Sequence, residues 1–247
     1  MLFSKVPYSL PIWASLFSQD SHPTNRIVLG SLPTPIHEWK PPGYEAYNCY
    51  VKRDDLSSFE LSGNKVRKLE FLMAKAIDEG YDSIITIGGI QSNHARATAC
   101  CARQLGLDPY LILRTPNPDD DPGYEGNLLL NRMVGAKIFT VSTGTYARIG
   151  SQGLLKQLEA SLIAEGKKPF LIAVGGSDDV GAWGYLNAIE EIIHQTKTLK
   201  INDFDHIIFA CGSGGTANGI ALGAKLSGMS SKIHAVCVCD TPGRILN

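Results

Sequence analysis

Short apolar runs alternate with helical patterns through most of this chain. Six runs have the length and composition of buried strands: 83–87, 110–113, 137–141, 170–174, 206–211 and 233–237. Between them lie patterns with the helical period, most of which end near a glycine: 66–79, 94–105, 125–134, 152–165, 182–195 and 216–227. Alternating strands and helices predict an α/β fold, with parallel sheets covered by helices on both faces.

Composition limits the class of protein. The 247 residues include 23 lysines and arginines against 24 aspartates and glutamates, and 44% are hydrophobic, as is typical of globular proteins. The sequence has no basic block that would favour nucleic acid and no apolar run of the roughly 20 residues that a membrane span needs. Six cysteines without a Cys-x-x-Cys spacing favour free thiols over a metal site.

Free thiols indicate a reducing compartment, for which the cytoplasm is the first expectation. The N-terminal segment contains several serines and no acid before Asp20, so a mitochondrial location stays open.

Lys65 stands at the start of a predicted helix, for which Ser62 and Asn64 are candidate N-caps. Lys65, Arg67 and Lys68 then lie in the first turn, where the helix dipole disfavours cations. An amine held there has a lowered pKa and is more nucleophilic at neutral pH, as a Schiff-base lysine requires. The alternative is three solvated cations at the end of a helix.

A second motif is a strand that enters a glycine-rich turn and then a helix. The turn contains Gly212, Ser213, Gly214, Gly215 and Thr216. Its exposed N–H groups and the positive end of the helix predict a cradle for an anion.

The same turn has two other interpretations. The spacing of Gly212, Gly214 and Ala217, followed by Asp240 after the next strand, loosely fits a dinucleotide-binding turn. A nucleotide-dependent oxidoreductase using nicotinamide or flavin is therefore one alternative. A β–α turn that binds nothing is the other.

A third motif follows the first predicted strand. Polar Ser92, Asn93 and His94 begin a helix there, and either Ser92 or Asn93 can be its N-cap. The free N–H groups of that helix start suit a carboxylate. Alone the motif is weak, because Ser-Asn at a helix start is common. Together, the three motifs supply an imine-forming lysine, a phosphate cradle and a carboxylate site, which are the parts that hold pyridoxal phosphate and an amino acid.

These motifs resemble those of the D-cysteine desulfhydrase and 1-aminocyclopropane-1-carboxylate deaminase family, within the fold type II (tryptophan synthase β-like) pyridoxal phosphate enzymes. The likeness runs from about Ile27 to about Asp240 and is carried by five segments: 32–36, 51–56, 62–68, 89–94 and 212–216. It implies two three-layer α/β/α domains with mostly parallel sheets. Residues 1–67 would begin the large domain, 68–176 would form the small domain, and 177–247 would return to the large domain with the phosphate loop.

The resemblance also implies roles for individual residues. Lys65 would form the Schiff base with pyridoxal 5′-phosphate and later move protons, and Ser92 would take part in catalysis beside the substrate carboxylate. Asn93 would bind the phenolic oxygen of the cofactor, whose phosphate the 212–216 loop would hold. The resemblance adds Asn64 and Lys68 to the cofactor pocket, and it puts Ser92, Asn93 and His94 at the substrate.

The implied reaction converts D-cysteine, a small amino acid, into pyruvate, ammonia and hydrogen sulfide. The alternative uses the same pocket to convert 1-aminocyclopropane-1-carboxylate into 2-oxobutyrate and ammonia. Family members continue past the position of Asp240, and residues 241–247 do not resemble that continuation. On this resemblance we expect the C-terminal part of the large domain to be missing, the chain to be truncated and of low activity, and the full-length form to be a homodimer.

Overall fold

The computed structural model describes residues 3–17, 22–58 and 63–239. The strands in these residues are β1 Lys5–Pro7, β2 Asn25–Ile27, β3 Ile36–Trp39, β4 Cys49–Lys52, β5 Ser83–Gly89, β6 Asp108–Thr115, β7 Lys137–Ser142, β8 Pro169–Ile172, β9 His206–Cys211 and β10 Lys232–Cys237. The α-helices are α1 Lys65–Asp78, α2 Asn93–Gln104, α3 Gly126–Met133, α4 Thr143–Ala164, α5 Asp179–Leu199 and α6 Gly215–Ser227. Short 3-10 turns span Ile12–Ala14, Asp54–Leu56 and Val174–Gly176.

Four parallel strands form the larger sheet, in the order β7-β6-β5-β8. Because successive side chains of a strand point to opposite faces, β6 contributes to two separate cores. Tyr110 and Ile112 pack with leucines of α4 on one face. Leu111 and Leu113 pack with α2 and with Leu128 of α3 on the other. The predicted sheet with helices on both faces is confirmed here.

A second parallel sheet consists of β9 and β10. Ile207, Phe209 and Ile233 lie on one face and contact the cluster formed by α5 and α6. On the opposite face, Ile208 is 69% exposed and Val236 is 52% exposed. Within the described residues, helices therefore cover one face of this smaller sheet.

All six predicted strands and all six predicted helices occur; the boundaries of β9 are those predicted, and those of the other elements are shifted. The largest shift is in α4, which begins at Thr143 although the pattern predicts a start at 152. Gly150 has φ 79° and interrupts the helix, so the two helical segments that it separates do not share one apolar stripe. The four short strands before α1 were missed, because prolines interrupt the alternation of polar and apolar residues there.

We propose that the two parallel sheets belong to two domains, with the chain crossing between them near residues 67 and 177. The first crossing falls within α1, and the second follows the Val174–Gly176 turn. Asp178 then starts α5, because its Oδ1 accepts a hydrogen bond from the N–H of Gly181 at 2.6 Å. In the described part of the chain, no helix combines the length and the apolar character of a membrane span.

Helix α1 packs directly against α5. A Cβ atom at Gly184 would lie 2.5 Å from the backbone carbonyl of Arg67, so only glycine permits this approach. The side chain of Arg67 is fully buried at this contact and forms ion pairs with Asp54 at 2.8 Å and with Glu191 at 2.9 Å. The guanidinium also donates to Thr34 Oγ1 at 2.9 Å. Arg67 thus joins α1 to α5 and to the Asp54–Leu56 turn.

The Arg67 contacts lead to a prediction about stability. Replacing Arg67 with Met removes the ion pair of Asp54 with the guanidinium and leaves Glu191 with its pair to Lys52 at 3.0 Å. Breaking a buried pair in this way costs about 3–5 kcal/mol. We expect Arg67→Met to lower the free energy of unfolding by this amount in urea titrations of the chain.

Arg53→Ala is the matched control. Arg53 pairs with Asp55 at 2.7 Å, and their side chains are 33% and 61% exposed. An exposed pair contributes about 1 kcal/mol or less. If Arg67→Met were no more destabilising than Arg53→Ala, the buried network would not have the structural role described above.

Candidate active site

The first turn of α1, which contains Lys65 and Lys68, contacts the glycine-rich turn that precedes α6. Lys65 is the first residue of α1 and is partly buried, whereas Lys68 is 1% exposed. The Nζ atom of Lys68 donates to the carbonyl oxygen of Gly175 at 3.0 Å. A Cβ atom at Gly215 would lie only 2.8 Å from this Nζ. The structure therefore brings together the predicted lysine helix and the predicted anion cradle.

Burial changes the protonation of both amines. It lowers the pKa of Lys65, and the nearby Cys239 thiol opposes this with a smaller effect. For Lys68, burial lowers the pKa to about 7, and the positive charge of Lys65 contributes in the same direction. Within the described residues, neither lysine forms a salt bridge, although the charge of Asp178 opposes the fall in the pKa of Lys68 with a smaller effect. Both amines therefore have a larger neutral fraction near pH 7 than an ordinary lysine has.

The interpretation of the first turn of α1 as three solvated cations is wrong. Arg67 and Lys68 are each 1% exposed, and their partners lie inside the protein. Asn64 occupies the predicted N-cap position of α1, but its side chain makes no capping hydrogen bond there. Instead, its Nδ2 donates to Thr216 Oγ1 at 3.3 Å, which connects α1 to the glycine-rich turn. The other N-cap candidate, Ser62, lies outside the described residues.

The glycine-rich turn contains backbone conformations that suit an anion cradle. Gly214 has φ 86°, a left-handed conformation that favours glycine, and Gly215 begins α6. Ser177 was not predicted as a site residue, but its Oγ lies 2.7 Å from Oγ of Ser213. A Cβ at Gly215 would also be 2.6 Å from Ser177 Oγ. The space above Gly215 is thus lined by a buried amine, a hydroxyl group and the N–H groups of a helix start.

The third motif begins α2, as predicted. Ser92 is confirmed as the N-cap, because its Oγ accepts from the N–H of Ala95 at 3.1 Å. Asn93 is exposed, and its Oδ1 accepts from Nδ2 of Asn127 at 2.8 Å. Asn127 was not predicted, because a lone asparagine in a helical pattern carries no local signal for such a contact.

His94 lies inside the protein and is 4% exposed. Thr86 donates its hydroxyl hydrogen to the carbonyl oxygen of Ile172 at 2.9 Å, so it accepts from Nε2 of His94 at 2.8 Å. Burial lowers the pKa of His94 to about 3, and the charges of Lys65 and Lys68 add to this. The imidazole is therefore neutral and close to the lysines, and contact between His94 and a substrate stays a prediction.

Curated relatives include a bifunctional D-cysteine desulfhydrase/1-aminocyclopropane-1-carboxylate deaminase, mitochondrial, from Arabidopsis thaliana. It is 50% identical over 244 residues, which are 97% of this chain and 60% of the relative. A D-cysteine desulfhydrase of Salmonella typhi is 38% identical over 81% of this chain and 60% of its own length. This chain thus spans three fifths of the length of each relative.

Among solved structures, the crystal structure of an ACC deaminase homologue superposes with a TM-score of 0.71 at 33% identity. The match covers 86% of this chain and 62% of that structure. The family profile described as pyridoxal-phosphate dependent enzyme matches residues 27–245, which include α1, α2 and the glycine-rich turn. This chain belongs to the family of pyridoxal-phosphate dependent enzymes.

Proposed function

We propose that this chain carries the active-site lysine and phosphate site of a lyase that converts D-cysteine and water into pyruvate, ammonia and hydrogen sulfide. One observation carries the proposal: Lys68 lies against Gly215 of the glycine-rich turn, and Lys65 precedes it by one turn of α1. The proposal is supported by the name of the Arabidopsis relative, which includes D-cysteine desulfhydrase, and by that of the Salmonella relative.

The residues around Gly215 fit the phosphate group of pyridoxal phosphate. Lys68 is a buried amine whose recorded partner is one carbonyl oxygen, and a buried amine in such surroundings favours an anion beside it. The N–H groups of the turn, Thr216 and the neighbouring Ser177 hydroxyl supply further donors. We propose that Lys68, Ser177 and residues 212–216 hold the phosphate, with Asn64 keeping Thr216 in place.

Lys65 is the proposed attachment point for the cofactor carbonyl. Because burial lowers its pKa, a larger share of its amine is neutral and nucleophilic. The same Nζ can accept a proton from the α-carbon of an amino acid and return it, since its pKa lies closer to neutrality. When bound, pyridoxal phosphate supplies the electron sink that makes loss of this proton accessible.

The start of α2 is the proposed site for the amino-acid carboxylate and the cofactor ring. The free N–H groups at this helix start and the Ser92 hydroxyl can bind a carboxylate. The exposed amide of Asn93 can donate to the ring oxygen of the cofactor. Neutral His94 connects α2 to β5 through its hydrogen bond to Thr86.

A second candidate reaction is the conversion of 1-aminocyclopropane-1-carboxylate and water into 2-oxobutyrate and ammonia. The double name of the Arabidopsis relative favours it, since that name includes both activities. The oxidoreductase alternative has no comparable support, because the matching family is pyridoxal-phosphate dependent. Its acidic residue, Asp240, lies outside the described residues.

We also propose a homodimer for the full-length form and a cytoplasmic location. The mitochondrion is the alternative location, since the Arabidopsis relative is described as mitochondrial. Size-exclusion chromatography with light scattering tests the first proposal, and a fluorescent fusion of the full-length protein tests the second.

The substrate is tested by supplying D-cysteine, L-cysteine and 1-aminocyclopropane-1-carboxylate separately to the chain loaded with cofactor. We expect sulfide and pyruvate in equal amounts from D-cysteine. L-Cysteine should give at least about tenfold less of both products, which corresponds to a discrimination of about 1.4 kcal/mol. Faster formation of 2-oxobutyrate than of sulfide would favour the second candidate. Equal rates with both cysteine isomers would contradict the proposed stereochemistry.

Covalent attachment provides a direct test of Lys65. Borohydride should fix the cofactor to one peptide, the one that contains Lys65, and Lys65→Ala should abolish this labelling. Lys75→Ala is the control, because Lys75 is an exposed lysine of the same helix. Labelling that persists in Lys65→Ala, or that also disappears in Lys75→Ala, would rule out Lys65 as the specific attachment point.

Lys68 leads to a prediction about pH. With a pKa of about 7 in the unliganded protein, Lys68 loses its charge as the pH rises through 7, whereas a bound phosphate favours the charged amine. Binding should therefore take up a proton, and affinity for inorganic phosphate should fall by up to about tenfold per pH unit above pH 7.

The arginine in Lys68→Arg stays charged throughout this range. Calorimetry in buffers of different ionisation enthalpy should thus show less proton uptake for Lys68→Arg than for the unsubstituted chain at about pH 8. Equal proton uptake by the two proteins would show that Lys68 does not titrate on binding.

A further inference from the structure

Asn127 connects the start of α3 to the loop that precedes α2. Its backbone N–H donates to Oε1 of Gln91 at 2.9 Å, and its Nδ2 donates to the carbonyl oxygen of Gln91 at 2.8 Å. The same Nδ2 also donates to Oδ1 of Asn93 at 2.8 Å. One side-chain amide therefore joins two segments that are 34 residues apart in sequence.

The surroundings of Asn127 determine which way its amide points. Both hydrogens of Nδ2 have oxygen acceptors, and Oδ1 accepts from Nε of Arg96 at 3.3 Å. The reversed amide would put an oxygen against two acceptor oxygens and an NH₂ group against a guanidinium. Asn127 can therefore act only as a donor toward Asn93.

The orientation of Asn127 fixes that of Asn93 in turn. Because Oδ1 of Asn93 is the acceptor in this contact, its Nδ2 is directed away from Asn127. In the described part of the chain, no acceptor is recorded for this Nδ2, and Asn93 is exposed at the start of α2. A deprotonated ring oxygen can bind only to the nitrogen of an amide, not to its oxygen.

We propose that Asn127 is a positioning residue that holds the Asn93 amide with its NH₂ group toward the ring oxygen of the cofactor. The inference rests on the function proposed above, in which Asn93 donates to that oxygen. Asn127 itself does not touch the cofactor and acts through the Asn93 amide. Asn127 excludes the orientation of Asn93 in which Oδ1 would face the ring oxygen of the cofactor.

Asn127→Asp tests this role with a side chain of the same size. A carboxylate has no hydrogen to donate and repels Oδ1 of Asn93, so the Asn93 amide should rotate and present its oxygen to the cofactor. We expect the pH midpoint of the visible absorption band of the bound cofactor to shift by about one unit. Cofactor affinity should fall about tenfold, which corresponds to about 1.4 kcal/mol.

Two further variants separate positioning from a general loss of structure. Asn93→Ala should shift the midpoint in the same direction, and the double variant should shift it no further than the larger single effect. Gln91→Ala removes contacts to the start of α3 but keeps the Asn127–Asn93 bond, so its midpoint should stay unchanged. In Asn127→Ser the side chain is too short to reach Asn93, so the midpoint should shift by less than in Asn127→Asp. This variant replaces Asn127→Asp in the test if Asn127→Asp does not fold.

Three outcomes would overturn the inference. In the first, Asn93→Ala shifts the midpoint while Asn127→Asp and Asn127→Ser leave it in place. In the second, Gln91→Ala shifts it as far as Asn127→Asp does. In the third, Asn93→Ala has no effect, so Asn93 does not contact the ring oxygen. Borohydride labelling of Lys65 would still succeed in each case, which distinguishes these failures from failure of the proposed function.

Discussion

The buried guanidinium of Arg67 is the interaction on which the site depends. It joins α1 to Asp54 and Glu191 through bonds of 2.8 to 2.9 Å, and the close approach at Gly184 holds α5 against the same turn of the helix. The charge of Arg67 is thus neutralised within the protein. Because α1 is fixed in this way at its third residue, the directions of Lys65 and Lys68 are fixed as well.

The two lysines differ from Arg67 in their surroundings. Arg67 has two carboxylate partners, whereas the recorded hydrogen bond of Lys68 is to a backbone carbonyl. Burying a charged amine without a paired carboxylate is unfavourable in free energy, and for this reason the pKa of Lys68 falls to about 7. An anion bound at Gly215 would remove that cost. The same helix turn therefore contains one cation that stabilises the fold and two amines that are available for binding and chemistry.

The sequence predicts those parts of the site that depend on residues close together in the chain, and it does not predict contacts between distant segments. Lys65, the Ser92 cap and the glycine-rich turn depend on local helical and turn patterns, and these predictions describe the elements correctly. The partners of Arg67 could not be predicted, since Glu191 lies 124 residues away and meets it only through the packing of α5 on α1. The same holds for Ser177 beside Ser213 and for Asn127 beside Asn93. The local pattern predicts the place of Asn64 at the start of α1, but it contains no signal for the contact of its side chain with Thr216.

We propose that one site holds the phosphate of the cofactor at the 212–216 turn and its carbonyl carbon at Lys65. A crystal structure of the chain soaked with pyridoxal phosphate tests it most directly. We predict continuous density between Lys65 Nζ and the cofactor, with phosphate oxygens within hydrogen-bond distance of Lys68 Nζ and the N–H groups of Gly215 and Thr216. Phosphate bound elsewhere, or a covalent bond to Lys68 instead of Lys65, would show that the chain does not form this site.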